Sequence, residues 1–244
     1  MNTPTHNRRN FNRDAVQAAS ALLFASLGLT SQAARALSLS DLTNADASKG
    51  LKLALEKGTT AAIESLGKTD GFLGNSLVKI ALPGYLEDAA KLLRNLGQGA
   101  RLDELVTSMN RAAEQAVPMA KTLLVNTVKA ISVTDAKNIL SGGEGAATKF
   151  FADKTRAPLG VEFLPMVTKA TEKVGLADKY NSLAGKLQQF GLVKPEDANI
   201  QKYVTTKSLD GLYVMIGEQE KKIRQDPVGT GSAILSKVFG ALNK

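Results

Sequence analysis

The chain has 244 residues and a formal net charge of +8, and it contains no cysteine and no tryptophan. Its single histidine is His6. The rest of the chain therefore lacks the thiol and imidazole groups that Cys-His and Ser-His-Asp nucleophiles, structural zinc and haem ligation require.

The first 36 residues have the order of a signal peptide. A polar, basic start (1–13) without an acidic residue is followed by a mildly apolar stretch (15–29) and by Ala-Arg-Ala at 34–36, which places small residues where a signal peptidase binds. We predict cleavage between Ala36 and Leu37. The mature chain, 37–244, is then predicted to be a single domain.

The basic start resembles the twin-arginine consensus, since Arg8 and Arg9 are followed by Phe11. We therefore expect the twin-arginine translocase to be a partner during export, and the periplasm to be the destination. Two alternatives are an uncleaved amphipathic helix and a membrane anchor. The apolar stretch of fifteen residues is short of the roughly 20 that span a bilayer.

Removing residues 1–36 takes away four arginines and one aspartate, which leaves 208 residues with a net charge of +5. A chain of this length buries roughly 70% of its unfolded surface, so packing can stabilise it without disulfides. The charge is modest, and the few aromatic residues are not interleaved with the basic ones. We therefore expect no nucleic-acid partner.

Apolar residues recur at helical spacing through most of the mature chain, so the predicted fold class is all-α, a single irregular multi-helix bundle. One extended loop is expected near 67–84, where 78–82 alternates like a strand without a partner strand. Asn44 is the expected N-cap of the first helix and Gly67 its C-terminal glycine. The predicted helices cover about 45–66, 85–96, 102–117, 118–131, 132–141, 144–153, 161–174, 176–190, 196–224 and 228–244.

Polar residues near helix ends, and on one otherwise apolar helix, form a candidate ligand cluster: Asp41, Asn44, Asp46, Lys68, Asp70, Asn110, Arg111 and Glu114. Arg111 and Glu114 stand three residues apart and can pair across one helical turn. They form either the wall of a polar pocket or an intramolecular ion pair, and the second interpretation is favoured.

Two further segments allow two interpretations each. The glycine-rich stretch 142–148 could hold an anion at a helix N-terminus, or it could be a turn between helices, which we favour. The amphipathic C-terminal segment, 228–244, could lie on an anionic membrane or dock onto the core, which we favour.

Six stretches resemble the bacterial family called domain of unknown function 4197 (DUF4197): 42–51, 67–73, 109–114, 173–176, 196–199 and 209–213. The resemblance covers about 39–239 and implies an exported protein, in agreement with the signal peptide. It implies no activity, and no catalytic, cofactor-binding or metal-binding residue follows from it.

The expected function is a non-enzymatic binding or interaction domain, whose ligand is a small molecule or a component of the cell envelope. One alternative is a carboxylate- or lysine-dependent hydrolase acting on envelope material, with Asp41, Asp46, Asp70 and Glu114 as candidates. Another is a peripheral membrane protein that is attached through the C-terminal helix. No cofactor is predicted.

Overall fold

The computed structural model describes residues 43–86, 90–91, 94–97, 99–172, 177–189, 191, 193 and 197–241. No β-strand occurs among them, so the predicted all-α class is confirmed. Single 3₁₀ turns cover Gly84–Leu86 and Val117–Met119. The α-helices are α1 (Asn44–Leu66), α2 (Gly99–Ala116), α3 (Ala120–Ala130), α4 (Val133–Ser141), α5 (Ala146–Glu172), α6 (Ala177–Gln189), α7 (Ile200–Gln225) and α8 (Ala233–Gly240).

Two details at the ends of α1 differ from the sequence prediction: which residue is the N-cap, and why a glycine ends the helix. Thr43 is the N-cap, and its hydroxyl accepts a hydrogen bond from the Asp46 N–H at 3.1 Å. Asn44 is therefore the first helical residue, because the threonine supplies the capping oxygen one position earlier. Gly67 ends the helix with a right-handed φ of −78°. A Cβ at Gly67 would lie 2.9 Å from Pro118 Cγ, so close packing explains the glycine.

α5 is one helix of 27 residues, where the sequence predicted separate helices over 144–153 and 161–174. Pro158 and Pro165 lie inside it, and each removes the N–H that would bond to the carbonyl of Lys154 or Val161. All four residues are exposed, so water can replace the lost donors. The helix therefore continues through both prolines.

α5 packs against α2, α3, α4, α6 and α7, which places it at the centre of the bundle. Because a helix turns about 100° per residue, each four-residue step advances a stripe of side chains by about 40°. The stripe therefore winds around α5, and successive parts of it face different neighbours. Its buried members are Ala147, Phe151, Thr155, Leu159, Phe163, Val167 and Thr171.

α8 docks on α1 and α7. It begins at Ala233, five residues later than predicted, because 227–231 form turns in which Gly231 has a φ of +67°. Its Val238 is fully buried and lies against Gly50 of α1, where a Cβ would stand 2.6 Å from Val238 Cγ2. The apolar face of α8, with Leu235 and Phe239 also buried, therefore belongs to the core.

α7 begins at Ile200, later than the predicted 196, and Asn199 caps it by accepting a hydrogen bond from the Lys202 N–H at 3.0 Å. Among the described helices, none has both the length and the apolar character that crossing a bilayer requires.

Candidate functional site

Two buried side chains of α2 fix the loop 67–83. Asn110 is fully buried, and its Oδ1 accepts a hydrogen bond from the Ile80 N–H at 2.8 Å. Its Nδ2 donates to the carbonyl oxygens of Ile80 at 2.8 Å and Val106 at 2.7 Å. One amide thus satisfies both backbone groups of Ile80, as a neighbouring strand would. The strand-like stretch therefore stays paired without a second strand.

Glu114 is the second of these side chains, and it is 4% exposed. Its Oε1 accepts hydrogen bonds from the N–H groups of Phe72 at 3.1 Å and Leu73 at 3.2 Å. Its Oε2 accepts one from Arg111 at 2.6 Å. A buried carboxylate is stable only when it is paired and hydrogen-bonded, and these three donors meet that need.

Arg111 connects Glu114 to the surface, since its second terminal nitrogen donates to Asp70 Oδ1 at 2.7 Å. Asp70 has a left-handed φ of 65° and lies in the turn after α1. The hydrogen bonds to Glu114 and then to Asp70 raise the pKa of the Arg111 guanidinium above its usual value. Arg111 and Glu114 thus form an intramolecular ion pair. Asp70, Asn110, Arg111 and Glu114 are called the Glu114 site below.

The Glu114 site also brings α7 to the loop. Phe72 is fully buried and its ring lies against Gly211, where a Cβ would stand 2.6 Å from Phe72 Cε1. Three of the stretches that carry the family resemblance, 67–73, 109–114 and 209–213, therefore meet here. Their contacts hold the loop to the bundle.

The other described candidates lie elsewhere. Asp46 binds Lys237 of α8 at 2.7 Å, and Asn44 is exposed at the start of α1. Lys68 is exposed just beyond the other end of α1. Asp46 and Lys68 are about 30 Å apart, because a helix rises 1.5 Å per residue. The candidates therefore occupy two separate places.

Some predicted residues lie outside the described part of the chain. They are Arg8, Arg9 and Phe11 of the twin-arginine pattern, Ala36 and Leu37 at the cleavage position, and Asp41 of the ligand cluster.

A second buried carboxylate, Glu220 of α7, escapes prediction from the sequence. It accepts hydrogen bonds from the N–H groups of Ala147 at 3.3 Å and Thr148 at 3.0 Å, and from the Thr148 hydroxyl at 2.8 Å. Arg224 Nε donates to it at 3.0 Å. The two N–H groups belong to the first turn of α5, so a distant glutamate caps this helix. Glu220, Arg224, Ala147 and Thr148 are called the Glu220 site below.

The Glu220 site helps to decide between the two interpretations of the glycine-rich stretch 142–148. Gly143 and Gly145 have φ values of +76° and +83°, as a turn between helices requires. The anion at the N-terminus of the following helix is the protein's own carboxylate. The N–H groups of Ala147 and Thr148 are thus already bonded.

The position of Glu220 does carry one sequence signal. It stands four residues after Ile216 and three before Ile223, so it shares their buried face. The polar run 218–222, in which four of the five residues are charged, hides this signal, because such a run usually marks a solvated surface.

The described residues contain no group of three or more His, Cys, Asp or Glu side chains that could hold a metal ion. A search of curated proteins and a search of solved structures each found no match. A comparison with protein families matches residues 41–240, most of the chain, to a family described as protein of unknown function. The chain therefore belongs to the DUF4197 family.

Proposed function

We propose that this protein is an exported, non-enzymatic binding or interaction domain of the periplasm. The observation that carries the proposal is that each described candidate carboxylate is bonded to another group of the protein. Glu114 is bonded to two backbone N–H groups and to Arg111. Asp70 is bonded to Arg111, and Asp46 is bonded to Lys237. These groups hold segments of the chain together.

A hydrolase acting on envelope polymers would need a different arrangement. Glycoside hydrolysis uses two carboxyl groups about 5–9 Å apart across a cleft, one of which is a protonated acid. Asp70 and Glu114 both bond to the Arg111 guanidinium, so they form one ion-pair network instead of facing each other across a cleft. Asp46 lies at the far end of α1 from Asp70. The geometry therefore supports binding better than hydrolysis.

Membrane attachment through the C-terminal helix also receives less support. Leu235, Val238 and Phe239 are buried, so the docked α8 has no free apolar face to insert into a bilayer.

The signal peptide motivates the exported part of the proposal, and cell fractionation tests it. The full chain, expressed in a bacterium with a twin-arginine system, should yield periplasmic protein whose intact mass begins at Leu37. The matched control is the double variant R8K/R9K, which keeps the charge and should stay uncleaved in the cytoplasm. Cytoplasmic wild type, or export of both forms, would contradict twin-arginine export.

Native mass spectrometry of the periplasmic protein tests the binding part. We expect a reproducible added mass, or a complex with a second protein, that disappears when the same sample is unfolded in urea and refolded after dialysis. A bare mature chain in repeated preparations, together with envelope-polymer hydrolysis that E114Q abolishes without unfolding the protein, would overturn the proposal in favour of an enzyme.

A further inference from the structure

The linker that connects α7 to α8, residues 226–232, is held by local hydrogen bonds. The Gly229 N–H donates to Asp226 Oδ1 at 2.8 Å, and the Thr230 hydroxyl donates to the Pro227 carbonyl at 2.6 Å. The other described hydrogen bonds of the linker join it to itself or to the adjoining ends of α7 and α8. Because no described hydrogen bond ties the linker to another helix, it does not hold α8 against the bundle.

α8 is too short to be stable by itself. It has eight residues, and the side chain of its N-cap residue, Ser232, makes no capping hydrogen bond. Isolated helices in water are marginal below about 12–15 residues, so α8 stays helical only while it is docked. When α8 detaches, it therefore unfolds as one unit.

α8 contributes three buried side chains to the core, whereas α7 contributes thirteen buried residues. The three are Leu235, Val238 and Phe239. The described polar contacts of α8 with α1 and α7 are the Lys237–Asp46 ion pair at 2.7 Å and the Arg224 guanidinium above the Phe239 ring. Because the free energy of opening grows with the apolar surface that is exposed, detaching α8 costs much less than unfolding the bundle.

A pocket between α1, α7 and α8 lowers this cost further. Its empty space, counted together with solvent at the mouth, is about 320 Å³, and Phe239 forms part of its wall. Where the ring faces empty space, it forgoes the dispersion contacts that a filled core would supply. The pocket is therefore a weak point in the docking of α8.

We infer that α8 is a latch, which opens as one unit while the rest of the bundle stays folded and so controls solvent access to the pocket and to the Glu220 site. The pocket is lined from α7 by Glu220 and Arg224 and from α1 by Leu51 and Leu55. Phe239 covers Arg224 in the closed state. Opening exposes these groups and the apolar wall of α1. This inference is independent of the proposed function.

The contact between Gly50 and Val238 provides a way to shift the latch. A Cβ at Gly50 would lie 2.6 Å from Val238 Cγ2 and 3.0 Å from Val238 Cβ. Val238 is buried and β-branched, so its side chain cannot simply rotate away. G50A should therefore push α8 off α1, although alanine itself suits the α1 helix. The matched control is G217A, whose Cβ would make an ordinary contact with Thr148 Oγ1 at 3.5 Å.

Native-state amide hydrogen exchange of the full chain, measured by NMR, tests the inference. In wild type, the amides of 237–240 should have equal protection factors, at least a hundredfold lower than those of 209–216 in α7. G50A should lower the protection of α8 by about tenfold or more and leave that of α7 unchanged. G217A should leave the protection of α8 unchanged.

V238A supplies a second test that leaves α1 unaltered. It removes buried methyl groups from α8 alone, so it should lower the protection of α8 by about tenfold while α7 keeps its protection. Equal protection of α8 and α7 in wild type, or parallel losses in both helices in the variants, would show that α8 opens only when the whole bundle unfolds. Unequal protection within 237–240 would show fraying instead of one unit. Each of these results would overturn the inference.

Discussion

Glu114 and Glu220 each accept hydrogen bonds from two consecutive backbone N–H groups of a segment far away in the sequence. Each also pairs with an arginine one turn away on its own helix. The two sites differ in the exposure of that arginine. The Arg111 side chain is 33% exposed and has Asp70 as a second partner, whereas that of Arg224 is 12% exposed.

This difference in exposure determines which partners are left to each arginine when its glutamate is removed. At the Glu114 site, Arg111 can turn to Asp70 and to solvent. At the Glu220 site, the less exposed Arg224 lies against the Phe239 ring and has fewer ways to reach solvent. The same hydrogen-bond pattern should therefore contribute differently to stability at the two sites.

The largest effect is expected for E220A. It removes the acceptor of two N–H groups of α5 and leaves the largely covered Arg224 without this carboxylate, so the free energy of unfolding should fall by about 4 kcal/mol. Urea unfolding followed by circular dichroism measures it. The control is E218A, two residues earlier on α7 and only partly buried, which should change stability by less than about 0.5 kcal/mol. Equal effects would show that Glu220 has no special role.

A smaller loss is expected for E114A, about 2–3 kcal/mol, because Arg111 keeps Asp70 and solvent. The same unfolding experiment applies, with E104A on the exposed face of α2 as control. The comparison between the sites fails if E114A costs more than E220A.

Two glycines of α7 allow a further comparison, since Gly211 touches Phe72 and Gly217 touches Thr148. A Cβ at Gly217 would stand 3.5 Å from Thr148 Oγ1, an ordinary contact. G217A should therefore be neutral or stabilise the protein by up to about 1 kcal/mol, through helix propensity. G211A should destabilise it by about 1–2 kcal/mol, because Phe72 must move. Thermal unfolding distinguishes the two, and a stabilising G211A would show that the loop is loosely packed.

The smallest effect concerns pH and the attachment of α8. The hydrogen bond from Lys237 lowers the pKa of Asp46 below its usual value. A lowered folded-state pKa adds stability above the unfolded-state pKa, and this stability is lost as the pH falls through the folded value. Wild type should thus be more stable than D46N at pH 7, and the two should converge well below about pH 4. A constant difference across this range would contradict the ion pair.

Helix periodicity predicts the all-α class. For the N-cap of α4 the sequence offers either Ser132 or Thr134, and in the structure it is Ser132 that caps the helix, in a capping box with Asp135. The prediction fails at α5, because the sequence does not show that Pro158 and Pro165 face solvent. Asn110, Arg111 and Glu114 could be selected as polar residues on an apolar helix.

Their partners could not be predicted in the same way. The partners of Asn110 and Glu114 are backbone groups of Ile80, Phe72 and Leu73. Because every residue other than proline carries such groups, the sequence does not mark these positions. Lys237 lies 191 residues from Asp46, and no local pattern connects residues so far apart.

Amide hydrogen exchange, measured by NMR on wild type, E114Q and E220Q, tests most directly whether both glutamates serve the fold. We expect E114Q to accelerate exchange at Phe72 and Leu73 only, and E220Q at Ala147 and Thr148 only, since each variant weakens one set of acceptors. Unchanged protection at all four amides in both variants would contradict the structural role of these carboxylates.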